Sequence, residues 1–404
     1  MAQSFLYAFV LGSNEALSLA EIFSVLKREG FVFVTLSITA KTLVIKTEKK
    51  LADPQKFINQ LGGTIKIISV FAQEPDGDIL KLILDFVSDN FTGSKFVFGV
   101  SFYGERTKNI GFEMKKELKK IGVNSRFVQG KKEALSAPEI THNKILEKGA
   151  DFVIIGNQKE SFLGKTIAVQ DYESYSHRDY DRPRRNAKSG MLPPKVAQIM
   201  LNLISQKNVT IYDPFCGNGT ILQEALLLGL KTIGSDISKE RVSDTMENLH
   251  WLAKEYGVET EVEKIVFQAD ALLISKKSLP EKPDSVVTET HLGPPLSALP
   301  TEGNIKKNFQ DLTKLYLGFL KNLAREFPDM REVIMAIPFY KGAKKDYFLE
   351  IIDEIKKIGY NTLTPLPEEV FSFGQLKGYN EQRKTLLYSR EDQIVGREIL
   401  VLKN

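Results

Sequence analysis

Short apolar runs and amphipathic stretches alternate along this chain, and their rhythm changes near residue 190. Over the first 75 residues, strand-like runs ("FLYAFVLG", "FVFVTLSI", "TLVIKT") interleave with helical periodicity at 15–29 and 53–61, and "TIKIISVFAQ" closes the segment. Period-two runs beside helical ones predict a small α+β domain of ferredoxin-like type over 1–75. "EPDGD" at 74–78 is a turn-rich, acidic junction. A second α/β unit is predicted over 76–170, as helix 78–90, strand "KFVFGVSFY", helix 109–121, strand "SRFVQG", helix 138–148 and strand "DFVIIGN". "DYESYSHRDYDRPRRNAKSG" lacks apolar periodicity, so 171–189 reads as a linker.

From residue 190 onward long helices alternate with apolar strands. The pattern predicts helix 193–206, strand 209–215, helix 219–229, strand 231–237, helix 239–256 and strands 265–270 and 284–289. Helix 304–327, strand 332–338, helix 344–358 and the strands "TLLYSR" and "REILVL" follow. β-branched runs between helices predict a parallel sheet covered on both faces, a Rossmann-like domain over 190–404. Ligands of such sheets bind beyond the carboxyl ends of the strands.

Composition narrows the function class. No apolar run reaches the roughly 18 residues of a membrane span, and the N-terminus meets Glu15 too early for a signal peptide. Cys216 is the only cysteine and there are four histidines, so no intramolecular disulfide or thiol metal site is expected. A cytoplasmic protein without metal or membrane partner is the expectation. The net charge is +4, but residues 101–200 carry 19 basic and 12 acidic side chains. That excess reads either as a polyanion-facing surface or as solvated helix faces such as "MKKELKK".

The candidate chemistry lies in "YDPFCGNGTILQEALLLG", where a predicted strand gives way to a predicted helix. Gly217 and Gly219 permit a tight turn and a close approach of ligand to backbone. Thr220 then opens a helix whose free N–H groups favour an anionic or carboxylate-bearing ligand. The spacing lacks the Lys-Ser/Thr of a phosphate loop. Asp236 ends the next strand about twenty residues on, where a carboxylate can hold both hydroxyls of a ribose. Asp270 ends the one after, within reach of an adenine amine. Either aspartate alone could be a helix cap; three consecutive strand tips together suit an adenosine-like ligand.

"DPFCGNGT" resembles the first S-adenosylmethionine motif of the class I methyltransferases joined to THUMP domains, in particular the tRNA (guanine-10-N2-)methyltransferases. "RPRRNAKSGMLPPKVAQIMLNL" is similar to the segment these enzymes place before the cofactor loop, "FVLGSNEALSLAEI" to their ferredoxin-like start, and 78–168 to a THUMP domain. The resemblance implies S-adenosylmethionine as donor and tRNA as acceptor. It implies a cofactor site at Gly217, Gly219, Asp236 and Asp270, with Leu192, Pro193, Asp213, Phe215, Thr220, Ile237 and Ala271 around them. Lys115, Lys119, Lys131 and Lys132 are candidate contacts to a tRNA stem, and Arg182, Arg184, Arg185 and Lys188 to phosphates, unless they are simply solvated. Cys216, inside the loop, reads as a packing residue and Trp251 as core.

One motif departs from the family. Its amino methyltransferases carry Asp/Asn-Pro-Pro-Tyr/Phe at the fourth strand, whereas this chain reads "DSVVTETHLGPPL". By position Thr288 replaces the acid, Glu289 and Thr290 the prolines, and His291 the aromatic. Three readings stand: a re-registered catalytic loop with Glu289 as acceptor and His291 as stacking platform, a tRNA-binding protein without transfer, or a different acceptor. His291 is equally a structural turn residue.

Overall fold

Residues 4–73, 79–104, 110–156, 161–185 and 191–404 are described in the computed structural model. Eight strands form the first sheet: β1 (Phe5–Leu11), β2 (Phe33–Ile38), β3 (Thr42–Thr47), β4 (Thr64–Gln73), β5 (Phe96–Gly104), β6 (Ser125–Phe127), β7 (Gly149–Gly156) and β8 (Ser161–Val169). Their order is β2-β3-β1-β4-β8-β7-β5-β6. β4 pairs antiparallel with β8 from Lys66↔Val169 to Gln73↔Phe162, so one sheet runs across both N-terminal units. β8 has no counterpart among the sequence-predicted strands.

The second sheet holds β9 (Thr210–Asp213), β10 (Lys231–Asp236), β11 (Val266–Gln268), β12 (Ser285–Glu289), β13 (Glu332–Tyr340), β14 (Asn361–Leu363), β15 (Tyr379–Asn380), β16 (Thr385–Tyr388) and β17 (Val395–Lys403). The order is β11-β10-β9-β12-β13-β17-β16-β15, with β14 also on β17. β11 to β13 are mutually parallel, whereas β17 runs antiparallel to β13. The expected all-parallel sheet is therefore mixed. Its parallel part reverses strand order at β9 and β12, which opens a crevice at their carboxyl ends. That crevice is the site of interest.

The helix Glu15–Arg28 locks the first sheet to the second. Asn14 caps it by accepting from the Leu17 N–H at 3.0 Å. The buried Glu21 carboxylate accepts from the N–H groups of Gly62 (2.8 Å) and Gly63 (2.7 Å) and from Asn202 Nδ2 (2.8 Å). Gly63 has no room for a side chain there, since a Cβ would lie 2.9 Å from Ser18 Cα. Burial nevertheless raises Glu21 to a pKa of about 7. One apolar core runs from Phe9 and Leu19 through Met200 to Ile211, Ile221 and Val287.

Several elements differ from the sequence pattern. The stretch 138–148 breaks at Lys144 (φ 53°) into Ala137–His142 and Ile145–Lys148. Helix 344–358 shortens to Ile352–Ile358, and Tyr347 instead pairs with Tyr340 at the end of β13 in an isolated antiparallel bridge. Part of the linker is a helix, Tyr172–Tyr180, capped by Asp171. Only Tyr175 and Arg178 are buried in it, and Arg178 is held by Glu224 at 2.6 and 3.1 Å. A helix anchored by an ion pair has no apolar stripe to reveal it. Among the described residues, no helix is long and apolar enough to cross a membrane.

Candidate active site

The turn after β9 is built around two glycines with different jobs. Gly219 (φ 79°) caps the helix Thr220–Leu227, and a Cβ there would meet Thr245 Cγ2 at 2.9 Å. Its bareness serves packing. Gly217 (φ 56°) would meet nothing nearer than the Phe215 carbonyl at 3.9 Å, so its face is open to a ligand. Its N–H donates to Asp236 Oδ2 at 3.0 Å, and Asp236 Oδ1 accepts from the Ser238 N–H at 2.9 Å. Each carboxylate oxygen still has accepting capacity. Asp270 Oδ1 accepts from the Leu272 N–H at 2.9 Å, so it also orders a turn.

Asp213 lies deeper, 2% exposed, beneath the same tips. Its Oδ1 accepts from Thr288 Oγ1 at 2.7 Å and from the Phe215 N–H at 3.2 Å. Burial, reinforced by the charges of Asp236 and Glu289, raises its pKa to about 8. Two donors do not offset desolvation in that acidic surrounding. Phe215 is half-buried and edge-on to Phe319 at 5.5 Å. Ile237 is 66% exposed beside Asp236, and Leu273 is 77% exposed beyond Asp270. Ala271 is buried, as are Leu192 and Pro193. Leu192 packs in the core with Ile221 and Val287, so its side chain is not a ligand contact.

The fourth tip corrects one assignment and refines two. Thr288 is fully buried and spends its hydroxyl on Asp213, so it positions the cofactor turn and does not face an acceptor. Glu289 forms an ion pair with the buried Arg397 of β17, whose guanidinium lies 6.0 Å from the Tyr388 ring. Burial raises the Glu289 pKa while Arg397 opposes the rise. His291 is exposed, and its carbonyl accepts from Tyr316 Oη at 2.5 Å. Pro294 and Pro295 are exposed beyond Gly293 (φ 87°), past the strand tip.

The expected RNA contacts separate into three groups. Lys115 and Lys119 are exposed on the helix Ile110–Lys120, and the exposed Lys131 and Lys132 line a cleft with Phe112 and Phe127. Arg184 is exposed but paired with Glu247 at 2.7 Å, and Arg185 lies 5.1 Å over the Tyr180 ring. Lys188 lies outside the described residues. Arg182 is the correction: it is 2% exposed and donates to Thr220 Oγ1 at 2.7 Å, inside the protein and away from any phosphate at the surface.

A family described as DNA methylase matches residues 127–247. The tRNA (guanine(10)-N2)-dimethyltransferase of Methanothermobacter thermautotrophicus is 34% identical over 180 residues, 44% of this chain and 47% of that protein. A probable tRNA (guanine(10)-N2)-dimethyltransferase of Methanothermococcus thermolithotrophicus is 36% identical over 151 residues, covering 34% of this chain and 89% of that sequence. The chain belongs to this methyltransferase family. It spans less than half the length of the Methanothermobacter protein in that match. Among solved structures, TrmN from Thermus thermophilus aligns over 100% of both chains at 16% identity, with a TM-score of 0.49.

Three positions around the second sheet carry no motif and emerge only from packing. Thr245 Oγ1 donates to the Gly217 carbonyl at 2.7 Å, and Asn248 Nδ2 donates to the Asn218 carbonyl at 2.8 Å. Both are fully buried on the helix Lys239–Tyr256, so two polar residues on an otherwise apolar face clamp the glycine turn. A polar interruption of that stripe was the available signal. Arg397, 108 positions from Glu289, offered none.

Proposed function

We propose that this chain is an S-adenosylmethionine-dependent methyltransferase acting on the exocyclic amine of a guanine in tRNA. The observation that carries the reading is the open face of Gly217 latched by Asp236, on the tip beside the one that bears Glu289. The residues fit the cofactor: a bare left-handed backbone for close approach, a ribose-acceptor carboxylate, and exposed apolar side chains at Ile237 and Leu273 for the faces of a base. When bound, the cofactor supplies an electrophilic methyl group.

The remaining work falls to the chain. Asp236 holds the ribose and Asp270 is within reach of the adenine amine. Glu289 accepts a hydrogen bond from the guanine amine and favours the positive charge that develops on that nitrogen, in a water-poor site. Arg397 keeps the Glu289 carboxylate oriented and opposes its protonation. His291 stacks on the base, and exposed Lys115, Lys119, Lys131 and Lys132 in the 76–170 unit meet phosphates. The test is incubation of the chain with unmodified tRNA and isotopically labelled donor, followed by nucleoside mass spectrometry. Labelled N2-methylguanosine or its dimethyl form is expected. Tight tRNA binding with no labelled nucleoside would instead support the reading as a binding protein without transfer.

A further inference from the structure

Arg182 is a buried guanidinium that forms no ion pair among the described residues. Its Nη1 donates to Thr220 Oγ1 at 2.7 Å, its Nη2 reaches only the thioether sulfur of Met191 at 3.3 Å, and its Nε has no partner. The Nε/Nη2 edge is the one that matches a carboxylate in two parallel bonds. Two other arginines of this protein use it in that way. Arg178 gives Nε and Nη2 to the two oxygens of Glu224 (2.6 and 3.1 Å), and Arg383 gives them to Glu398 (2.6 and 3.0 Å). On Arg182 the same edge carries a weak sulfur acceptor in place of an anion.

Its surroundings sharpen the mismatch. Thr220 is the first residue of the eight-residue helix after the glycine turn, and the cap residue Gly219 has no side chain to satisfy it. A buried cation therefore stands against the positive end of a helix, where first-turn N–H groups lack intrahelical acceptors. Glu224 is occupied by Arg178, and Asp179, whose charge favours the Arg182 cation from a distance, makes no ion pair with it among the described residues. A buried charge of this kind is costly unless an anion meets it. Met191 and Thr220 lie on the two segments that bracket the glycine turn, so the guanidinium sits between them.

We propose that Arg182 anchors the α-carboxylate of the cofactor's methionine end, through its Nε/Nη2 edge and beside the N-terminus of the Thr220 helix. This rests on reading the crevice as an S-adenosylmethionine site. A planar monoanion fits a single buried fork; a phosphate would call for more cations than the turn supplies. The assignment also explains why an arginine in a basic linker is withdrawn from the surface.

The test is calorimetric and needs no turnover. The full chain is titrated with S-adenosylhomocysteine and with S-adenosyl-3-thiopropylamine, which differs only in lacking the carboxylate. Wild type should prefer the former by about tenfold or more, the range of a charge-assisted pair. Arg182→Met should lose that preference, weakening S-adenosylhomocysteine about tenfold while leaving the amine within twofold. Arg182→Lys should fall between them. Equal binding of both compounds by wild type would overturn the proposal whatever the variants do, as would a Met variant that keeps the preference or loses both ligands equally. Binding of neither compound by wild type would remove the cofactor reading itself, a distinguishable failure.

Discussion

Two buried clusters of charge, one in each sheet, are treated in opposite ways. In the first sheet Asp151 accepts from Lys66 Nζ (3.0 Å), Ser101 Oγ (2.7 Å) and Thr166 Oγ1 (2.7 Å), and Ser101 in turn accepts from the Leu135 N–H (3.0 Å). Strands β4, β5, β7 and β8 each contribute one member, and every charge has its partner. At the tips of the second sheet, burial raises Asp213 to a pKa of about 8, and the charges of Asp236 and Glu289 add to the rise. Arg182 forms no ion pair among the described residues. A satisfied network specifies strand register, whereas an unsatisfied one is kept where a ligand completes it.

The largest effect expected from this contrast is on the satisfied side. Asp151→Ala leaves Lys66 buried and unpaired in the middle of the sheet, which should cost about 3–5 kcal/mol of folding stability. Urea unfolding of the full chain measures it. A loss below 1 kcal/mol would mean that the cluster is not what holds β4 and β8 in register.

At the tips of the second sheet the expected loss is in turnover. Glu289→Gln keeps the volume and an oxygen for Arg397 but removes the charge that faces the developing cation. Turnover on tRNA should drop at least about tenfold, roughly 1.4 kcal/mol of barrier, with S-adenosylhomocysteine and tRNA affinities within twofold. Single-turnover kinetics beside calorimetry separates these. Wild-type turnover in the variant would move the acceptor role off Glu289.

The same contrast has a pH signature. Asp213 has a folded pKa of about 8 against an ordinary 3.8, so between those values the folded state holds more protons than the unfolded state. Stability then falls as pH rises through that window and levels off above about 8. Glu21, raised to about 7, contributes the same sign but only up to that point. Between pH 7 and 8 the slope is chiefly that of Asp213, at most about 1.4 kcal/mol per pH unit. Asp213→Asn retains acceptors for Thr288 and Phe215 and should flatten the slope there. Urea midpoints at pH 7 and 8 that fall equally in both proteins would place the titrating group elsewhere.

What was legible in the sequence follows the same division. The glycine turn and Asp236 are separated by about twenty residues in one strand–helix–strand unit, a spacing set by local geometry. Glu289 stood out as an ionisable residue at a strand tip, but its partner Arg397 is brought in by the antiparallel β17, and no local pattern announces that pairing. Thr288 has the place of the catalytic acid in the motif, yet alternation along β12 turns its side chain inward to Asp213. Arg182 looked like its neighbours Arg184 and Arg185, because composition does not encode burial. The linker helix was hidden for a related reason: its inner face is Tyr175 and Arg178.

The smallest expected effect concerns the surface arginines that remain candidates for RNA. Arg184 is already paired with Glu247 at 2.7 Å and lies 3.8 Å from Asp244, so meeting a phosphate means giving up an existing partner. Arg185 packs over Tyr180 and donates to its carbonyl at 3.2 Å. Lys115, Lys119, Lys131 and Lys132 form no side-chain ion pair among the described residues. Each phosphate contact contributes about 0.7–0.9 to the logarithmic salt slope of binding, the value depending on strand form. Neutralising the four lysines to Gln should therefore lower the slope by about 3, whereas Arg184→Gln with Arg185→Gln should lower it by less than about 1. Filter binding of tRNA across a salt series reads both. A double arginine variant that loses more slope than the lysine variant would shift the RNA surface from the 76–170 unit to the linker. The Arg184–Glu247 pair would then be one that opens when tRNA arrives.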